Sequence, residues 1–288
     1  MKTLHKEITD KIISALETAG AWERPWKVLG GGVAKNVVSK KPYKGINSVI
    51  LMIQAHDKGY SSSQWGTYKQ WKDKKCQVKK GEKATRVIFW KFFENKTSTD
   101  AEHQDGENTD NHTSMMARSY SVFNADQVDG WTPEIAEPAT ENERVEQAER
   151  FFGKIGADIR HGGDSAHYLP SGDYIQMPEL SRFKSSEYYY STLAHEAIHW
   201  TGAKNRLDRD LKGRFGSEAY AVEELIAELG AAFLSAHLGL SEQPRDDHAQ
   251  YVASWIKVLK SDNRAIFTAA SKAQAAVDFM QELQELQG

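Results

Sequence analysis

Two histidines placed four residues apart, His195 and His199, with Glu196 directly after the first, constrain this chain more than any other feature. The segment around them is typical of a helix, because Ser185 can cap its start and Gly202 can end it soon after the second histidine. An α-helix has about 3.6 residues per turn, so positions four apart lie on one face and both imidazoles can approach the same ion. The spacing therefore predicts a helix that supplies half of a metal site.

This H-E-x-x-H pattern is typical of zinc-dependent peptidases. In such a site the two imidazoles hold the ion, and Glu196 lies beside the open coordination position, where it can take a proton from the attacking water. Zinc is the expected ion, although manganese or cobalt could occupy the same set of nitrogen and oxygen ligands. The alternative is a buried histidine pair bonded to backbone or carboxylate groups.

A catalytic zinc usually has three protein ligands, so a third must come from elsewhere in the chain. The segment after Ser217 predicts an amphipathic helix that places Glu224 and Glu228 together on one face. Small neighbours, among them Ala227 and Gly230, would let this helix approach the histidine helix closely. We predict Glu224 as the third ligand and Glu228 as the acceptor of a ligand imidazole N–H. The reverse assignment, with Glu228 as the ligand, stays open. It also stays open that Glu224 and Glu228 belong to an ordinary acidic surface stripe with no metal role.

Charge divides the chain into two halves. Residues 1–96 contain 20 Lys and Arg against 8 Asp and Glu, a net charge of +12, whereas the remaining residues contain 17 against 32, a net charge of −15. The basic half is suited to binding an anion. Its charge argues against membership of the class of acidic proteins that mimic DNA. The single cysteine, Cys76, excludes an internal disulfide and a cysteine-rich zinc site.

Aromatic residues are interleaved with the basic ones, which favours single-stranded over duplex DNA because unpaired bases can stack on aromatic rings. Nothing in this half resembles a base-reading module, so we expect weak sequence preference. Most of its tryptophans are expected to serve the core, and the lysine cluster could be an ordinary solvated face. Tyr43, Trp65 and Tyr68 are the stacking candidates. The predicted DNA-binding residues are Lys40, Lys41, Tyr43, Lys44, Asn47, Trp65, Tyr68, Lys79, Lys80, Lys83 and Arg86.

The order of motifs along the chain resembles one protein family. The run from Ser191 to Gly202, followed by Phe215-Gly216 and the run from Tyr220 to Leu225, resembles the C-terminal half of the ArdC antirestriction proteins of conjugative plasmids. Earlier runs resemble the N-terminal domain of that family, which also occurs on plasmid primases. These are residues 41–47, 59–65, 80–83 and 120–124.

The resemblance covers nearly the whole chain, and both sets of motifs occur in the expected order. It implies a domain that binds single-stranded DNA, followed by a zincin-like metallopeptidase domain. It also implies a role in protecting incoming plasmid DNA from host restriction.

We therefore predict a two-domain α+β protein. The first domain, residues 1–130, is an α+β domain that binds single-stranded DNA, with a disordered loop at 97–114 inside a strand hairpin. Residues 131–140 form a linker. Residues 141–288 form a mainly helical zincin-like domain with a small sheet.

Two finer features of the second domain are less constrained by the sequence. The strand from Tyr174 to Met177 is expected to pair with an extended substrate as an added edge strand. His167, Tyr168, Tyr188 or His237 could stabilise the oxyanion, and the sequence does not choose among them.

The proposed chemistry is hydrolysis of a peptide bond in an unknown protein or peptide. One alternative is a DNA-binding shield without peptidase activity, whose metal is structural or vestigial; another is a peptidase whose basic domain recruits RNA or an acidic protein. A cytoplasmic location is expected, with no membrane partner, because residues 1–7 lack an apolar signal core and no apolar run approaches the roughly 18 residues of a membrane span.

Overall fold

In the computed structural model of the chain, the described residues are 2–19, 32–94, 113–132, 140–213, 216–240 and 248–286. The helices are α1 (Lys2–Ala19), α2 (Ile46–Lys58), α3 (Tyr68–Asp73), α4 (Glu141–Lys154), α5 (Ser186–Thr201), α6 (Glu218–Leu238), α7 (His248–Ser261) and α8 (Ala265–Glu285). The strands are β1 (Lys35–Asn36), β2 (Gln64–Thr67), β3 (Gln77–Val78), β4 (Thr85–Glu94), β5 (Thr113–Asn124), β6 (Val128–Asp129), β7 (Asp158–His161), β8 (His167–Leu169) and β9 (Tyr174–Met177). None of the described helices is long and apolar enough to cross a membrane.

The first domain is built on a sheet with strand order β1-β2-β5-β4. The predicted hairpin is confirmed: β4 and β5 pair antiparallel from Thr85 opposite Val122 to Glu94 opposite Thr113. Strand β5 begins at Thr113, so the last two residues of the predicted loop 97–114 belong to a strand. The remainder of that loop lies outside the described residues, as does most of the predicted linker.

The two domains share one hydrophobic core. Helix α1 buries Ile8, Ile12 and Leu16 in the same cluster as residues of the second domain. The hydroxyl of Thr9 on α1 also donates to the backbone oxygen of Asn263, at 2.8 Å, just before α8. Apolar burial of this kind stabilises the contact between the domains, because each side removes surface of the other from water.

Helix α2 makes a second contact across the same boundary. Its residues Ile46, Val49 and Ile53 belong to the shared cluster, and α2 packs against α8. At the start of α2, the backbone N–H of Gly45 donates to Oε1 of Gln274 on α8, at 3.1 Å. The molecule is therefore a two-domain α+β protein, as predicted, whose domains are joined by packing.

The second domain places a small sheet beside its helices. Strands β8 and β9 form a hairpin and pair antiparallel, with Tyr168 opposite Ile175. The prediction that Tyr174–Met177 forms a substrate-pairing edge is wrong, because β9 lies between β7 and β8 and both of its edges are paired. The sequence did not indicate β7, because its four residues do not alternate between apolar and polar. This pattern is absent because most of the strand is exposed.

Helices α5 and α6 pack at close range. A Cβ atom on Gly230 of α6 would lie 2.6 Å from Cδ1 of Ile198 on α5, closer than two carbons can approach. Alanines next to it, Ala227 and Ala231, are buried as well. The prediction that small residues let α5 and α6 approach closely is therefore confirmed. Helix α8 also packs on α6.

Candidate functional site

Helix α5 carries both histidines and Glu196 into the interior. Ser185 caps the helix by accepting the Tyr188 backbone N–H, and Gly202 follows its last turn, as predicted. His195 is 3 % exposed and Glu196 is 4 % exposed. Buried imidazole and carboxylate groups require partners, so their surroundings define what the site can bind.

Three ligand atoms converge where α5 faces α6. Nε2 of His195 lies 3.2 Å from Nε2 of His199. Glu224 presents Oε2 at 3.5 Å from His195 Nε2 and Oε1 at 3.6 Å from His199 Nε2. Within the described ranges these residues form the one group of three potential ligands close enough to share an ion. The structure thus brings together the two predicted histidines and Glu224.

The second nitrogen of each imidazole faces a carboxylate. Nδ1 of His195 lies 3.1 Å from Oε1 of Glu228, and Nδ1 of His199 lies 3.1 Å from Oε1 of Glu223. A carboxylate at Nδ1 favours the tautomer with the proton on that nitrogen, which leaves the lone pair on Nε2. Two lone-pair nitrogens 3.2 Å apart repel each other unless a cation lies between them.

The donor set fits a divalent ion. Ligands of zinc at about 2.0 to 2.1 Å in a tetrahedron lie about 3.3 Å from one another, close to the three separations found here. Burial alone would raise the pKa of Glu224, but its contacts with His195 and His199 outweigh this and lower the pKa to about 2. Glu224 is therefore ionised at neutral pH, which is the form that binds a metal.

Glu223 is a residue of this site that the sequence analysis missed. Its carboxylate accepts from the guanidinium of Arg209, with Nη2 2.9 Å from Oε1 and Nε 3.1 Å from Oε2. Burial works to raise the pKa of Glu223, but the hydrogen bonds of His199 and Arg209 hold it below its usual range. The sequence did contain a signal for this role, because α6 carries three carboxylates opposite the two histidines. One carboxylate can bind the ion, and each of the other two can accept a hydrogen bond from one imidazole.

Tyr220 is a second residue that was missed. It lies one helical turn before Glu224, and its hydroxyl is 3.2 Å from that of Tyr251 on α7. Burial, with the neighbouring Tyr251 and Glu224, raises the pKa of Tyr220 well above its usual range. A neutral phenol therefore stands beside the predicted ligand and can donate a hydrogen bond to it.

The three potential ligands open onto a cleft of about 300 Å³. The predicted base, Glu196, lines this cleft, and its Oε2 accepts the backbone N–H of Tyr168 at 2.9 Å. Strand β8 therefore turns its outer edge towards Glu196 and the three potential ligands, while its other edge pairs with β9.

Two of the four residues predicted as candidates to stabilise the oxyanion line the cleft, and two do not. His167 and Tyr168 line the cleft, but the Tyr168 hydroxyl is engaged with Asp173 and Arg206. Tyr188 and His237 are not among the cleft residues, and His237 lines a separate cavity of about 190 Å³ between the domains. Two of the four candidates are thus placed away from the site.

Two predicted DNA-binding residues, Trp65 and Asn47, are buried and unsuited to that role, and a third, Tyr43, is unsuited to stacking on a base. Trp65 is 1 % exposed, because it lies on the sheet face that Leu51 and Ala55 of α2 cover. Both backbone groups of Ile88 on the edge strand β4 bond to the Asn47 amide, at 2.6 and 2.8 Å. Tyr43 is 7 % exposed, too little for a base to stack on its ring. Burial thus contradicts the stacking roles predicted for Trp65 and Tyr43, and the bonds to Ile88 engage the Asn47 amide within the fold. A pattern of charges does not reveal which aromatic side chains the core covers.

The remaining predicted residues lie at the surface of the first domain. Lys44 is paired with Asp278, and Arg86 lies 3.4 Å from Glu7. Lys79 donates to the backbone oxygen of Asp126. The other exposed members of the predicted set are Lys40, Lys41, Tyr68, Lys80 and Lys83.

Comparison with known families gives two matches that together cover most of the chain. Residues 2–123 match the N-terminal domain of anti-restriction factor ArdC. Residues 146–272 match a zincin-like metallopeptidase family. Both parts agree with the order of the motifs in the sequence.

Solved structures and full-length relatives agree with these matches. Two crystal structures of the antirestriction protein ArdC from R388 plasmid are similar to this chain at 39 % identity, one metal-free and one with Mn(II) bound. The metal-free structure covers 98 % of both chains with a TM-score of 0.78, and the Mn(II)-bound structure covers 97 % of both with a TM-score of 0.77. The uncharacterized protein y4eC of Sinorhizobium fredii is 48 % identical over 96 % of this chain and 91 % of its own length.

A third relative is much longer than this chain. DNA primase TraC of Escherichia coli is 40 % identical over 99 % of this chain, but the match spans only 28 % of that protein. The chain thus corresponds to one stretch of about a quarter of the primase.

Proposed function

The chain belongs to the ArdC antirestriction family, and on that premise we propose that it is a plasmid antirestriction protein with two working parts. Its first domain holds single-stranded DNA, and its second domain hydrolyses peptide bonds at a divalent metal site. Together they protect incoming conjugative DNA from host restriction.

The observation that carries the enzymatic half is the arrangement of His195, His199 and Glu224. Their facing donor atoms are separated by 3.2, 3.5 and 3.6 Å, and the far nitrogen of each imidazole faces its own carboxylate. A divalent ion held there would polarise the scissile carbonyl and make an attacking water more acidic. We propose zinc as the ion, with manganese or cobalt as substitutes, and a bound Mn(II) in the related ArdC structure supports a divalent ion of this class.

Glu196 is the proposed general base. Its Oε2 is fixed by the Tyr168 N–H, which holds the carboxylate in the cleft beside the three ligands without making it one of them. In this position it takes a proton from the attacking water and later delivers that proton to the leaving amine.

The cleft also suggests how a substrate binds. Strand β8 is the edge of the small sheet that faces the metal centre, and a peptide in extended form would lie along it. The cleft-lining residues His167 and Tyr220 are then the side chains placed to meet the substrate carbonyl, and Tyr220 is a neutral donor.

The alternative of a shield with a structural metal is less well supported. A structural zinc is normally closed by four protein ligands, whereas three are brought together here beside a carboxylate that faces an open cleft. The nucleic-acid half rests on the net charge of +12 in residues 1–96 and on exposed Lys40, Lys41, Lys80 and Lys83.

Glu196→Gln is the variant that tests the proposal. In zinc-loaded full-length protein, we expect cleavage of an unfolded casein substrate to fall by about 10²-fold to 10⁴-fold, because the base is lost. Zinc content and affinity for a single-stranded oligonucleotide should not change, since Glu196 is not a ligand. Cleavage is measured with and without the oligonucleotide, in case DNA is required for activity.

Glu149→Gln, an exposed position on α4, is the matched control and should behave as wild type. Equal cleavage by Glu196→Gln and wild type would overturn the catalytic assignment. Full protection of transferred plasmid DNA by Glu196→Gln would show that proteolysis plays no part in antirestriction.

A further inference from the structure

The first domain exposes aromatic rings that its own core does not use. Phe89 on β4 is 49 % exposed and Tyr120 on β5 is 42 % exposed. Side chains alternate between the two faces of each strand, so Phe89 and Tyr120 lie on the same face of the sheet as Val87 and Val122. Val87 and Val122, each two residues away along its strand, are buried. The face therefore changes from packed core to open aromatic surface within one or two residues.

The two rings form one wall of a groove. Phe89 and Tyr120 meet edge to face, with centroids 5.4 Å apart, and the ring of Tyr43 lies 6.4 Å from that of Phe89. The groove has a volume of about 460 Å³, within the usual range for small-molecule sites. Arg118, which pairs with Phe89 across the two strands, lines the same groove and is exposed.

A closed pair of amides, Asn36 and Gln70, also lines the groove. Asn36 Nδ2 donates to Gln70 Oε1 at 3.1 Å, and Gln70 Nε2 donates back to Asn36 Oδ1 at 3.3 Å. The backbone N–H of Thr67 also donates to Gln70 Oε1, at 2.8 Å, which fixes the pair in place. These bonds hold the two amides in place beside the exposed rings.

The back of the groove carries a hydroxyl donor. The Tyr43 hydroxyl accepts a hydrogen bond from Asn36 Nδ2 at 3.3 Å, so its own hydrogen is directed elsewhere. Burial raises the pKa of Tyr43, which keeps the phenol protonated. Ring nitrogens and carbonyl oxygens of nucleobases are acceptors that such a donor can meet.

We propose that this groove holds one unpaired nucleotide, with its base against Phe89 and Tyr120 and its phosphate near Arg118. The chemistry of the groove combines aromatic faces, a polar back and a cation, and exposed Lys40 and Lys41 lie in the loop between Asn36 and Tyr43. Paired bases in a duplex do not offer their faces, so the site selects single strands. The proposal rests on the single-strand binding proposed above and names the residues that perform it.

The test compares variants of the full-length protein by fluorescence anisotropy. The probes are a labelled thymidine oligonucleotide and an abasic strand of the same length. Phe89→Ala and Tyr120→Ala should each weaken binding to the thymidine strand by about 5-fold to 150-fold. Their affinity for the abasic strand should stay at the wild-type value, because stacking needs a base.

Two further variants separate stacking from charge and from damage to the fold. Phe89→Trp should retain binding, whereas Arg118→Gln should lower the slope of log K against log salt by about 0.7. Leu180→Ala is the control, since Leu180 is an apolar side chain that is 44 % exposed in the other domain.

The outcomes distinguish this proposal from the proposed function. If wild type binds the thymidine strand and Phe89→Ala and Tyr120→Ala bind it equally well, the nucleotide site is wrong while single-strand binding stands. If wild type fails to bind the thymidine strand, both are wrong. Equal loss on thymidine and abasic strands would also overturn the stacking role.

Discussion

The metal cleft and the aromatic groove hold their functional groups in opposite ways. In the cleft, the proposed ligands His195 and Glu224 are 3 % and 6 % exposed, and the polar groups behind them are buried too. In the groove, Phe89 and Tyr120 are nearly half exposed, and hydrogen bonds fix the amides of Asn36 and Gln70 that line it with them. The first site is assembled inside the fold, and the second is a surface that the fold presents.

This difference determines what a substitution does. A buried carboxylate or imidazole that loses its partner leaves an uncompensated polar group, so changes in the cleft should affect both binding and stability. Phe89 is 49 % exposed, so changes there should affect binding more than stability.

The largest effect is expected at the third metal ligand. Glu224→Ala should lower zinc affinity by more than about 100-fold, because a ligand is lost, whereas Glu228→Ala should lower it by about 10-fold to 100-fold through the imidazole that it supports. Competition with a chromophoric chelator measures both values. The opposite order would make Glu228 the ligand, and a loss of DNA affinity in either variant would contradict the separation of the two sites.

The next effect concerns the close approach of α5 and α6. Gly230→Ala should destabilise the protein by about 1 to 3 kcal/mol, because the added methyl overlaps Ile198. Urea denaturation measures the free energy of unfolding. Gly153→Ala on α4 is the control: no atom lies within 4 Å of its added methyl, so it should be neutral or stabilising by up to about 1 kcal/mol. A neutral Gly230→Ala would mean that the two helices can separate at little cost.

A smaller effect is expected from single surface charges. Lys41→Gln and Lys80→Gln should each reduce the slope of log K against log salt for a single-stranded oligonucleotide by about 0.7 if the lysine contacts one phosphate. Zinc affinity should not change. Lys257→Gln, an exposed position on α7, serves as the control. Unchanged slopes for Lys41→Gln and Lys80→Gln would remove these lysines from the DNA surface.

The smallest effect is a pH dependence of stability from Glu223. Its folded pKa lies below its usual range, so its contribution is fully present above the unfolded value of about 4.3 and is lost as pH falls through the folded value. Metal-free wild type should therefore lose stability below about pH 4.3 more steeply than Glu223→Gln. Urea unfolding across this range measures the difference. A difference that does not vary with pH would exclude titration of Glu223.

The cleft could be predicted from the sequence because one helix determines much of its geometry. A spacing of four residues places His195 and His199 together whatever surrounds them, and small residues on α6 indicated which helix comes close. The role of Glu223 depends on Arg209, which follows α5 in a segment without regular structure. No local pattern could predict that contact.

The first domain was less predictable because composition does not specify a face. The sequence predicted strands β4 and β5, but whether Trp65 or Phe89 is covered depends on where α2 lies across the sheet. Both are aromatic residues in basic surroundings, and one is buried while the other is exposed. The position of β9 in the centre of its sheet was missed for a similar reason, since β7 carries no strand pattern of its own.

The core shared by the two domains, to which Ile12 of α1 and Val49 of α2 contribute, limits how this gene can be recombined. A crossover between the domains would leave each half with a bare apolar face that no new neighbour is shaped to cover. The pair should therefore be transferred as one block, even when it is inserted into a larger gene. The match of 99 % of this chain to a single stretch of DNA primase TraC is the pattern that such block inheritance produces.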